Sequence, residues 1–86
     1  MYHLYIIQSL SNNKFYVGST GNLSDRLLRH NTGRSKATKT GTPWKLVYSE
    51  EFETRSEAMK REVDIKSWKS HTMIENLIAK NKSTQQ

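Results

Sequence analysis

No cysteine occurs in the 86 residues, which leaves the chain neither a disulfide framework nor a thiolate zinc site. Proline occurs once and glycine four times, and the glycines at 18, 21, 33 and 41 match no phosphate-loop or dinucleotide-binding pattern. His3, His30 and His71 do not stand at zinc-ligand spacing. The apolar runs, such as Leu4 to Ile7, are far too short to span a bilayer. No charged lead with a cleavage site opens the chain, so the expected location is the cytoplasm, without membrane association. Hydrophobic residues make up 34% of the chain. A domain this small buries only about 60% of its unfolded surface, so its core must be thin.

Positive charge is what the chain has in excess. Fourteen Lys and Arg against eight Asp and Glu leave a net charge of +6, a balance that favours polyanionic partners. On charge alone a nuclease, a nucleic-acid-binding protein and a ribosome-associated protein all fit.

The chain reads as one domain over residues 1–80 with a disordered tail over 81–86. Tyr2 to Gln8 is a β-favouring run, Ser11-Asn12-Asn13 supplies turn chemistry, and Lys14 to Val17 reads as the second strand of a hairpin. Gly18 to Gly21 is a polar break. Asn22-Leu23-Ser24-Asp25 then resembles a capping box, opening a helix that reaches about His30 and is closed by Asn31 and Gly33. Residues 34–43 read as a basic, flexible loop and Trp44 to Phe52 as a third strand. Thr54-Arg55-Ser56-Glu57 is a second capping box, opening a helix to roughly Trp68. A last helix from Ser70 or Thr72 would bury Ile74, Leu77 and Ile78. This order fits an α+β fold, a small three-stranded antiparallel sheet flanked by helices.

Two helices place polar residues against the apolar pattern. In the first, the helical period brings Leu23, Leu27 and His30 to one side, and Arg26 stands one turn before His30 at the margin of that apolar face. The simplest reading lets Arg26 lay its stem on the sheet with its head in water. His30 then sits near a helix C-terminus, which favours a partly protonated imidazole. In the next helix, the same period gathers Ala58 and Ile65 with Met59 and Val63 into a buried arc, and Glu62 falls inside it. A carboxylate there costs several kcal/mol unless a cation or hydrogen bonds compensate. An ion pair with Arg26 and a metal ligand at a cleft floor fit equally well. Each aromatic residue, taken singly, is core material for a small sheet.

His3-Leu4-Tyr5, ten intervening residues and Tyr16-Val17-Gly18 resemble the two signature tripeptides of the GIY-YIG nuclease superfamily. Arg26-Leu27-Leu28-Arg29-His30-Asn31, Pro43 to Tyr48 and Glu57 to Trp68 are similar to its small single-domain bacterial branch, related to the N-terminal nuclease domain of the UvrC repair protein. The resemblance runs from about Tyr2 to Ile78. Two positions depart: His3 stands where the first tripeptide usually has glycine, and Ser19 where UvrC-type domains carry a lysine.

The resemblance implies a metal-dependent endonuclease acting on nucleic-acid phosphodiesters, DNA favoured over RNA, in repair or recombination. Tyr5, Tyr16, Arg26, His30 and Glu62 would form the catalytic set. Glu62 would hold one Mg²⁺ or Mn²⁺, Arg26 would clamp the transition state, and a tyrosine or His30 would serve as base. Arg29, Arg34, Lys36 and Lys39 would contact neighbouring phosphates. No sequence-reading module stands out, so a protein partner would have to supply long-site specificity. The alternative is a non-catalytic nucleic-acid-binding or ribosome-associated protein that keeps the fold.

Overall fold

The computed structural model describes residues 1–36 and 38–84. Strand β1 (Tyr2–Ser9) is the centre of a three-stranded antiparallel sheet, with β2 (Phe15–Thr20) on one side and β3 (Trp44–Phe52) on the other. Helix α1 (Leu23–Asn31) follows β2, and helices α2 (Arg55–Ser67) and α3 (His71–Thr84) follow β3. The expected α+β layout is therefore the one found. The tail expected over 81–86 falls, for Gln85 and Gln86, outside the described residues.

Alternation along β1 sends its side chains to both faces of the sheet. Leu4 and Ile6 join Val17, Ile65 and Ile78 in an aliphatic core under α2 and α3. Tyr5 and Ile7 join Trp44 in a second cluster, packed by Leu23 and Leu27 of α1. The first helix starts where Asn22 accepts a hydrogen bond from the Asp25 backbone N–H, and α2 starts on a complete capping box between Thr54 and Glu57.

Three readings of the sequence need correction. The polar stretch after Val17 is not a break: β2 continues to Thr20, because Gly18, Ser19 and Thr20 pair with Tyr5, Leu4 and His3 of β1. Cross-strand partners satisfy the backbone there whatever the local propensity. The loop after α1 is built into the molecule rather than loose. It carries a 3₁₀ turn at Lys39–Gly41, Thr38 is buried, and Trp44 Nε1 donates to the Thr38 carbonyl at 2.8 Å. Finally, Met59 and Val63 are 48% and 67% exposed, so the buried arc of α2 is narrower than expected and centres on Ala58 and Ile65.

Candidate active site

Cross-strand register creates the site. Tyr5 lies opposite Gly18, and a methyl group at Gly18 would fall 2.5 Å from the Tyr5 hydroxyl. The absent side chain is thus the space into which the phenol extends. Its hydroxyl meets His30 Nε2 at 2.8 Å, and His30 Nδ1 meets Thr38 Oγ1 at 2.7 Å. In either tautomer the imidazole links Tyr5 to Thr38. The ring of Tyr16, on the same face, stands 5.1 Å from that of His30. The end of α1 is fixed by Asn31, whose amide donates to the Trp44 carbonyl at 3.1 Å while its oxygen accepts from the Trp44 N–H at 2.5 Å.

Burial sets the protonation states of this group. The Tyr5 hydroxyl is pushed up to about 12, first by desolvation and next by Tyr16; the Arg26 guanidinium opposes the shift and the Glu62 carboxylate adds to it. His30 is lowered from its ordinary value by burial, and then by Arg26 and Arg29. Its imidazole is therefore neutral at pH 7. This reverses the expectation drawn from the helix terminus, because desolvation and two nearby guanidinium groups outweigh the dipole.

Glu62 reaches the same place from the other side of the sheet. Although α1 and α2 cover opposite faces, β2 is an edge strand, and side chains meet around it. The Ser19 hydroxyl donates to Glu62 Oε1 at 2.7 Å, and Lys66 Nζ donates to Oε2 at 2.6 Å. The Lys66 ammonium also stands 5.8 Å from the centre of the Tyr16 ring. The compensating cation for Glu62 is therefore Lys66, one turn along its own helix, and not Arg26. Arg26 and Arg55 instead line a cavity of about 280 Å³ at the end of β2, together with Ser19, Thr20 and Gly21.

The donor set suits a loosely held hard cation. Among the described residues, no three His, Cys, Asp or Glu side chains cluster as a metal cage. Mg²⁺ sites commonly take one or two carboxylates, keep several waters and complete their shell with substrate phosphate. Glu62, 22% exposed in its side chain, can serve in that way. Lys66 is 48% exposed, and an i,i+4 pair of this kind is worth only about 0.3–0.5 kcal/mol. Its ammonium can give way.

The structure thus groups Tyr5, Tyr16, Arg26, His30 and Glu62 around β2. Arg29, Arg34, Lys36 and Lys39 are exposed on α1 and the following loop and make no part of the buried cluster. Sequence reasoning had passed over Gly18, Thr38, Lys66 and Arg55 as site residues. For Lys66 the signal was there, since i+4 from Glu62 is the spacing of a helix ion pair. For Thr38 there was none, because its role depends on a long-range contact.

Residues 1–76 match the family described as the GIY-YIG catalytic domain. A UPF0213 protein of Staphylococcus haemolyticus is 43% identical over 68 residues, covering 78% of this chain and 82% of the relative. A UPF0213 protein of Listeria innocua is 43% identical over 65 residues, covering 74% and 72%. The solution NMR structure of the UPF0213 protein BH0048 from Bacillus halodurans superimposes with a TM-score of 0.56 at 29% identity, over 92% of this chain and 84% of that one. By sequence and by fold, the chain belongs to the GIY-YIG family.

Proposed function

We propose that the protein is a metal-dependent endonuclease that hydrolyses phosphodiester bonds in nucleic acid, DNA in preference to RNA. The observation that carries this reading is the meeting, around the edge strand β2, of the Tyr5–His30 hydrogen bond with the Ser19-held carboxylate of Glu62. Two guanidinium groups in the cavity beside them suit an incoming phosphate, Arg26 as a charge-assisted donor to the scissile group. Glu62 would hold one Mg²⁺ or Mn²⁺, which when bound supplies charge neutralisation at the phosphate and the leaving 3′ oxygen.

The tyrosines divide the remaining work by exposure. Tyr16 is half-buried at the edge and meets the attacking water, whereas Tyr5 is buried and holds the hydrogen bond to His30. As the water oxygen bonds to phosphorus and the bond to the 3′ oxygen breaks, the water proton passes to Tyr16. Tyr16 would hand its own proton on to the buried Tyr5–His30 pair, whose imidazole stands 5.1 Å from its ring, and within that pair Tyr5 would release its proton to the hydrogen-bonded His30 Nε2. A phenol held near 12 is a poor base alone; a neutral imidazole at the end of the chain supplies the missing proton acceptor. Arg29, Arg34, Lys36 and Lys39 contact phosphates farther along. A cytoplasmic role in repair or recombination, with a protein partner choosing the site, accords with a domain this small.

The Lys66–Glu62 ion pair favours a second reading, a nucleic-acid-binding or ribosome-associated protein in which Glu62 is only structural. Glu62→Gln separates the two. On the nuclease reading, Mg²⁺- or Mn²⁺-dependent cleavage of branched and single-stranded DNA falls by orders of magnitude, while binding and melting stay near wild type. Unchanged cleavage per folded molecule, or no cleavage of DNA or RNA by wild type, selects the binding protein.

A further inference from the structure

β2 and β3 are both edges of the sheet, yet they differ in charge. At one end of β2 lies the cavity bordered by Arg26 and Arg55, and at the other a groove of about 410 Å³ in which Lys14, Lys66 and Lys69 flank an apolar lining that includes Phe15, Val17 and Ile65. Neither has an acidic residue in its lining among the described residues. The edge formed by β3 carries one lysine, Lys45, against Glu50 and Glu51, followed by Glu53, with Glu50 paired to Arg61. Charged side chains on an edge strand commonly guard against edge-to-edge pairing, and either sign serves that purpose. Protection alone therefore accounts for charge on both edges but not for the division of sign between them. A polyanion would be drawn to β2 in preference to β3.

From this division we infer that a nucleic-acid strand runs along the outer edge of β2, its phosphates held by Arg26 and Arg55 at one end and by Lys14 and Lys69 at the other. Glu62 is bonded to Ser19 of the cavity and to Lys66 of the groove and so stands between the two ends, and Tyr16 borders the groove, so the strand passes the catalytic cluster on its way. The six residues of β2 span roughly 20 Å. The track is distinct from the Arg34–Lys39 loop and assigns to Lys14, Lys69 and Arg55 a backbone contact that their positions in the sequence do not suggest. The inference rests on the nuclease reading only for the placement of the scissile phosphate, not for the track itself.

The test is binding of a tetranucleotide and of a longer oligonucleotide in EDTA, across a salt series, by wild type, Lys14→Ala/Lys69→Ala and Lys36→Ala/Lys39→Ala. The track predicts that the first double variant lowers the salt slope for the long strand by about 1.4, or 0.7 for each of two lost phosphates on a single strand. Most of the affinity that wild type gains with length should go with it, while tetranucleotide binding and the melting temperature hold. A slope unchanged in that variant, or no binding by wild type, overturns the track. Binding that obeys the track in a protein that never cuts overturns the nuclease reading alone.

Discussion

The two faces of the sheet solve different problems with the same three strands. Under α2 and α3 the sheet presents Leu4, Ile6 and Val17, and the helices answer with Ile65 and Ile78; the contact is aliphatic. Under α1 it presents Tyr5 and Tyr16, and the helix answers with a histidine that is 1% exposed and hydrogen-bonded at both nitrogens. The first arrangement tolerates small shifts and supplies stability through burial. The second fixes positions, because a buried polar group must keep its partners or lose free energy. The proposed chemistry lies where the ordered face meets the edge of the other, at Gly18 and Ser19.

If that division is right, changes on the two faces should separate stability from activity. The largest stability loss is expected for Ile65→Ala, which removes a fully buried side chain from the aliphatic face. Such truncations cost about 2–5 kcal/mol. Chemical denaturation should show the loss, and cleavage per folded molecule should stay near wild type. A variant that is equally stable, or one that is folded and inactive, would blur the distinction between the faces.

A smaller effect is expected from His30→Gln, and its signature is pH. The folded-state value of His30 lies below its unfolded value. Below about pH 6.5 the unfolded chain therefore takes up a proton that the native imidazole refuses, and stability drains away as pH falls from there. The wild-type melting temperature should decline between pH 7.5 and pH 5.5. The variant should start lower, by about 1–3 kcal/mol for the stranded Tyr5 and Thr38 hydroxyls, and decline less. Parallel pH profiles would mean that His30 is not held neutral.

Much of this was legible in the chain. The capping residues at Asn22 and Thr54, the β-favouring run of β1 and the turn at Ser11 to Asn13 are local signals, and each marks what it should. The polar residues that broke the helical pattern, Arg26, His30 and Glu62, were the right ones to question, since a polar group near a buried face needs a partner. What local pattern could not carry was the register. Only the pairing of Tyr5 with Gly18 reveals why a glycine stands there, and only the edge position of β2 lets side chains from helices on opposite faces approach one another. Periodicity failed on α2 for a related reason. It treats the whole apolar arc as covered, whereas Met59 and Val63 on its flank stay exposed.

Glu62 on one face and the Tyr5–His30 pair on the other should address one ligand, and paramagnetic NMR with Mn²⁺ tests this most directly. In a 10.0 kDa protein, substoichiometric Mn²⁺ should broaden the signals of Glu62 and Ser19 together with those of Gly18, Tyr16 and the Tyr5 and His30 rings. Glu62→Gln should remove the broadening from all of them at once. Broadening confined to Glu50 and Asp64, or persisting around Tyr16 in Glu62→Gln, would contradict a shared site around β2.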